Sequence, residues 1–190
     1  MPTPPPLYID DNQYVWIAVR TFFAQELKIC KYLEFHNTRH FVPMTTRYVV
    51  NSCGERVRQQ QPIVHNLIFI QLDRTVEDMK AILSDCPYPL SVYCKFDHPE
   101  QWCEISDSNM LDLRMMCDNT FCEPVFMTSN ESLMKVGRNV RITHGPLRGI
   151  HGRLIRKNKK YYIVKSFDGL GVMVTVSRWC CEPEDGENGK

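Results

Sequence analysis

Histidine and cysteine offer the most chemistry in this sequence, and their spacing decides how much of it is usable. His36-Asn37-Thr38-Arg39-His40 repeats the two-histidine interval of a zinc-binding helix, in which imidazoles one turn apart reach one ion. The catalytic version needs Glu after the first His, and Asn37 stands there instead. The pair also falls where the preceding helix should be ending. Cys94, His98 and Cys103 supply thiols and an imidazole, but no recognisable nucleophile context surrounds them. Cys117 and Cys122 have four residues between them and Cys180-Cys181 are adjacent, so no pair of C-x-x-C units exists to hold a structural zinc. Gly145, Gly149 and Gly152 sit in a glycine-rich stretch that lacks the Gly-Lys-Ser/Thr end of a phosphate loop. The expectation is therefore no catalytic residue, no metal and no cofactor, with the cysteines as reduced, mostly buried thiols.

Binding chemistry is better represented. Arg47, Arg56 and Arg58 fall in a polar stretch with little apolar material, where arginine can hold phosphate and stack on an unpaired base. Arg148, Arg153, Arg156, Lys157, Lys159 and Lys160 form a second basic set near the C-terminus. A solvated turn is the bland reading of Lys157–Lys160, and RNA contact the sharper one. With a net charge of +1 the chain as a whole has no pull on nucleic acid, so any such binding must come from these local patches.

The elements that must position these residues follow from periodicity. Tyr14–Val19 is a nearly continuous apolar strand, as expected of a strand covered on both faces. Thr21 is a plausible N-cap for a helix over Phe22–Phe35, with Phe23, Leu27, Cys30 and Leu33 or Glu34 on its apolar face. His40–Val42 is a short strand ended by Pro43. Thr45–Val50 and Gly54–Gln61 read as the arms of a protruding hairpin whose tip is Asn51–Gly54. Pro62–Ile70 reads as a strongly apolar strand, surely core on one face. Thr75 begins a second helix with Val76, Met79 and Leu83 on one face and Glu77 and Asp78 in its first turn. Leu90–Cys94 is a further strand, and Ser106 opens a third helix with Met110, Leu113 and Cys117 in register.

Beyond this the period changes to short strands with glycine turns. Val140 and Ile142 alternate with Arg141 and Thr143. Gly145-Pro146 turns the chain, and at Gly149 and Gly152 the backbone must bend sharply or be approached closely. Arg153–Arg156, Tyr161–Lys165 and Val172–Val176 are strands, joined at Lys157–Lys160 and Asp168-Gly169. That spacing suggests a small closed β-barrel. The expected plan is a Pro-rich disordered lead over 1–13, an α/β domain over 14–122, a linker over 123–135, the barrel over 136–183 and an acidic tail over 184–190. At 190 residues two small domains fit. No run of about 18 apolar residues spans a membrane. The opening Met1–Pro6 does not look like an export signal, and the expected location is the cytoplasm.

Val140-Arg141-Ile142, Gly145-Pro146-Leu147-Arg148-Gly149 and Gly152 together resemble a KOW motif. Trp16-Ile17-Ala18-Val19-Arg20, Glu26, Tyr32-Leu33, Phe41-Val42-Pro43 and Asn66-Leu67-Ile68-Phe69-Ile70 resemble the N-terminal domain of NusG. Ile105-Ser106-Asp107 is similar to the segment that opens that domain's last helix. The ordered set covers most of the chain, from Tyr14 to Cys117 and from Val136 to Pro183. One departure is that NusG proteins usually carry Pro-Gly-Tyr where this chain has His65-Asn66-Leu67. With the extended loop and the Pro-rich lead, this makes the chain most similar to specialised antiterminators of the UpxY kind.

The resemblance implies an α+β protein: a NusG-type α/β sandwich around a mostly antiparallel sheet, then an SH3-like KOW barrel. It implies a monomeric, non-enzymatic elongation or antitermination factor, specific to one operon of the polysaccharide-locus type. The N-terminal domain would dock on the clamp helices of RNA polymerase. The family's pocket positions fall near Val64 and Leu67, with Trp16, Phe22 and Phe69 as neighbours by alignment. The Arg47–Arg58 loop would face the non-template DNA strand. The KOW domain would take a second partner: a small-subunit ribosomal protein, the termination factor Rho, or RNA. Gly145, Pro146, Gly149 and Gly152 argue against a helical form of that domain, at about 1 kcal/mol per Gly and about 3 for Pro. The alternatives are a general RNA-binding or ribosome-associated KOW protein, and an enzyme resting on the Cys/His scatter.

Overall fold

The computed structural model describes residues 14–118, 124–128, 131–132, 134 and 136–184. The expected lead over 1–13, Cys122 and the tail after Glu184 lie outside them. The elements in the first part of the chain are β1 (Val15–Thr21), α1 (Glu26–Phe35), β2 (His40–Phe41), β3 (Met44–Val50), β4 (Arg56–Pro62) and β5 (Leu67–Leu72). Then come α2 (Val76–Ser84), β6 (Leu90–Val92), β7 (Glu104–Ser106) and α3 (Asp107–Met116). The C-terminal part holds β8 (Val125–Thr128), β9 (Arg138–Ile142), β10 (His151–Lys157), β11 (Lys160–Phe167), β12 (Leu170–Val176) and β13 (Cys181–Pro183). By compactness the chain divides into two units, Met1–Pro43 with Val64–Met110 and Met44–Ile63 with Leu111–Lys190.

In the first unit the sheet runs β2-β5-β1-β6, with β7 also paired to β1 and every ladder antiparallel. β1 lies at its centre, so both of its faces are covered and its apolar run needs no alternation. Ile17, Val19, Ile68 and Ile70 face one way and form one cluster with Ile29, Cys30 and Leu33 of α1 and Met79 and Leu83 of α2. Trp16 points the other way, and its indole N–H donates to Asp107 Oδ1 at 2.8 Å, at the start of α3. α2 begins as its sequence predicts: Thr75 Oγ1 accepts from the Asp78 N–H at 3.1 Å. Ser106 Oγ accepts from the Asn109 N–H at 3.3 Å, which caps α3.

Two elements start later than periodicity suggests. α1 begins at Glu26, not Phe22, because Phe23 and Ala24 take left-handed backbone angles, φ 57° and 51°. Its buried face is Glu26, Ile29, Cys30 and Leu33, so Phe23 and Leu27 are exposed rather than packed. β5 begins at Leu67, because the chain turns over Ile63–Asn66; Pro62 closes β4.

The second unit contains a six-stranded antiparallel sheet ordered β13-β9-β10-β11-β12-β8, consistent with a KOW-like domain. The buried Val172 and Val174 of β12 and Ile163 and Val164 of β11 show why those valines favour strand. Gly149 makes the turn, with φ 95°, and Gly152 permits a close approach. A Cβ on Gly152 would meet Val164 O at 2.7 Å. Val125–Thr128, within the stretch expected to be a linker, is β8 and pairs with β12. The hairpin β3–β4 is a separate two-stranded sheet.

Candidate functional site

Two turns clasp each other at one end of the first unit's sheet. The first is Phe22–Gln25, between β1 and α1; the second ends in Asn66, before β5. The Thr21 N–H donates to the Asn66 backbone oxygen at 3.1 Å. The Ala24 N–H donates to Asn66 Oδ1 at 3.3 Å. The Asn66 N–H in turn donates to Glu26 Oε1, and His65 Nδ1 lies 3.9 Å from the same oxygen. Glu26 is 2% exposed, at the first position of α1, where the helix end favours a carboxylate. Asn66 has φ 65°, a conformation that Asn tolerates better than most side chains.

The clasp holds an apolar ridge out of the core. Phe23 is 81% exposed and Leu27 52%. Phe22 is half-buried with the Arg20 guanidinium carbon 5.3 Å from its ring centre, and Val64 is half-buried in the second turn. Consecutive left-handed Phe and Ala cost on the order of 1–3 kcal/mol each. Of the five residues expected at the docking pocket, Phe22 and Val64 thus lie in the clasped turns. Trp16, Leu67 and Phe69 are buried, at 3%, 5% and 0% exposure; Leu67 stands opposite Arg20 beside the turns, whereas Trp16 stands opposite Gln71 at the far end of β1. Phe23 was missed as a surface residue because helical spacing assigns it inward. The signal that separates the two faces is Ile29, which only the Glu26–Leu33 stripe includes.

The hairpin sorts its arginines onto opposite faces. Tyr48 pairs with Arg58 and Val50 with Arg56, whereas Arg47 pairs with Gln59 one residue out of phase. Side chains alternate along a strand, so Arg56, Arg58 and Tyr48 share a face and Arg47 lies on the other. The expected trio is therefore a pair plus one. Arg58 Nε donates to the Tyr48 hydroxyl at 3.0 Å, and its guanidinium carbon lies 5.5 Å from the Tyr48 ring centre. The tip is fixed by Asn51, whose Oδ1 accepts from the Cys53 and Glu55 N–H groups at 3.0 and 2.9 Å.

In the C-terminal sheet Arg148, Arg156, Lys157, Lys159 and Lys160 are exposed. Arg153, expected among them, is half-buried, and its guanidinium donates to the Ser132 carbonyl at 2.9 Å. It braces the segment between β8 and β9, because Ser132 itself is fully buried.

The histidine and cysteine sets do not converge. α1 ends at Phe35, so His36 stacks on Tyr32 while His40 Nδ1 bonds the Thr38 carbonyl. Cys94 is exposed, His98 lies 3.4 Å from Glu100, and Cys103 is buried. Among the described residues no three His, Cys, Asp or Glu side chains are grouped to hold a metal ion. No helix among them is long and apolar enough to cross a membrane.

An α+β first unit, a cationic hairpin and a small antiparallel sheet, with no grouping of side chains for metal chemistry among the described residues, are the features of a binding protein. Residues 14–114 match the family model described as transcription termination factor nusG, and the chain belongs to the NusG family. Members of that family are non-enzymatic transcription factors that bind RNA polymerase. No curated protein matches the chain.

Proposed function

We propose that this chain is an antitermination or pause-suppressing factor, specialised like the UpxY proteins for one polysaccharide-type operon and working in the cytoplasm. The clasped turns dock on the clamp helices of RNA polymerase. Phe22, Phe23 and Val64 supply the contact, while buried Leu67 and Phe69 anchor the strand that follows the second turn and Trp16 holds the far end of β1. The observation that carries this is the exposure of Phe23 on a turn that is tied to Asn66 by three hydrogen bonds, through Thr21, Ala24 and Glu26. Covering a few hundred Å² of such surface, at about 25 cal/mol per Å², stabilises a complex by several kcal/mol before association costs.

The face of the hairpin bearing Tyr48, Arg56 and Arg58 holds the non-template DNA strand, with phosphate on the guanidinium groups and a base against the ring. Arg47, on the other face, is free of this task. The C-terminal sheet recruits a second partner from among a small-subunit ribosomal protein, Rho and RNA. His65-Asn66-Leu67 in place of Pro-Gly-Tyr supports the specialised reading, because the second turn presents His65 where the family has Pro. Transcription in vitro over a template with a pause site and a terminator tests the proposal. The protein should raise read-through at both sites; unchanged pausing and termination with the host polymerase would overturn it.

A further inference from the structure

Trp179 is the most conspicuous side chain in the C-terminal unit, at 94% exposed. It sits in a single 3-10 turn, Arg178–Cys180, directly after β12. Tyr161 of β11 pairs across to Val176 of β12 and to Arg156 of β10. Two guanidinium groups flank its ring: Arg156 at 5.5 Å and Arg178 at 6.0 Å from the ring centre. The Lys157–Lys160 turn continues from Arg156 and adds three ammonium groups. Among the described residues none of these cations is ion-paired. Of the acids that follow Arg178, Glu182 on β13 stands opposite Arg141, and Glu184, just past that strand, pairs with His151.

We infer that this patch is a binding site for single-stranded nucleic acid, with a base stacked on Trp179 and phosphates running over Arg178 and Arg156 toward the Lys157–Lys160 turn. A wholly exposed indole has no packing role to explain it, and a base offers it a planar face at every step of a strand. Five cations that form no ion pair among the described residues match a phosphate backbone, and the guanidinium groups held over Tyr161 are already ordered for the task. A duplex keeps its bases stacked inside and cannot offer one to Trp179. This rests on the reading that the C-terminal sheet takes a second partner and chooses among the candidates; it does not depend on polymerase docking.

The test uses full-length protein carrying Arg56→Ala and Arg58→Ala, so that the hairpin contributes little. Fluorescence anisotropy is read with 12-nucleotide RNA and with DNA of the same sequence, and tryptophan quenching is followed alongside. Trp179→Ala should weaken binding about tenfold and abolish most of the quenching, while Trp179→Phe should retain most of the affinity. Binding of either strand with that loss upholds the proposal, and the tighter of the two names the source. Equal binding by Trp179→Ala, or equal binding of a duplex or of a polyglutamate peptide, would overturn it. Because Trp179 is exposed, its variants should keep the parent circular dichroism spectrum. RNA bound by a protein that ignores polymerase would count against the docking proposal alone; polymerase bound with no strand captured would count against this site alone.

Discussion

Asn66 has more consequences than any other single residue in the first unit. Its backbone carbonyl, its amide and its side-chain oxygen each secure a different part of the segment from Thr21 to Glu26. Asn66→Ala removes the bond to Ala24 and puts a Cβ-bearing residue without local compensation at φ 65°; it should cost about 1–3 kcal/mol in urea denaturation. Asn66→Gly keeps the angle available and should cost less than the Ala variant. Because both variants lose the side-chain bond, a Gly variant no more stable than the Ala variant would show that the backbone angle is not what Asn66 is needed for. Cys30 gives a second residue-scale expectation. Burial, then the Glu34 and Glu26 carboxylates, push its thiol up from 9.0 to about 11. The folded state therefore holds the proton more tightly than the unfolded state does. The associated stability is complete below pH 9 and is lost as pH rises toward 11. The urea midpoint should fall over that range in the wild type, and the fall should be shallower in Cys30→Ala.

At the scale of elements, the hairpin is where geometry changes the expectation most. Arg56→Ala with Arg58→Ala should spare polymerase binding and flatten the salt dependence of DNA contact, whereas Arg47→Ala should do little. An equal effect from Arg47 would mean that the strand wraps both faces. The hairpin arms were legible because polar runs bracket Asn51–Gly54, but which arginines share a face depends on register, and Asn51 sets that through its own turn. Likewise Thr75 and Ser106 announce their helices locally, and both caps are found. The start of α1 was not legible. Phe22, Phe23 and Ala24 continue a helical spacing, and what bends them out is an asparagine 42 residues further on from Ala24. The turn before β5 was hidden for the same reason: Ile63 and Val64 extend an apolar run, and only Asn66 marks the reversal. Glu26 belongs here too, since a carboxylate at a buried position is invisible to a hydrophobic pattern until its backbone donor is known.

For the molecule as a whole, the α+β plan was legible in outline. The period-2 strands after Val136 and the glycines between them specify an antiparallel sheet, and Gly152 is needed because β11 passes so close. β8 escaped notice because Val125–Thr128 is a short strand with an exposed Val125 and no alternation to read. Of the residues that the resemblance aligned with a polymerase surface, Phe22 and Val64 lie in the clasped turns, while Trp16, Leu67 and Phe69 are buried: sequence resemblance aligns positions without saying which side chains point inward. The account's central claim is that Phe23 and Val64 present the polymerase-binding surface. Affinity of the purified full-length chain for the host's core polymerase, measured for the wild type, Phe23→Asp and Val64→Asp, tests it most directly. The wild type should bind, and each variant should lose at least about tenfold while keeping its fold by circular dichroism. Wild-type affinity in both variants, or a wild type that does not bind at all, would contradict it.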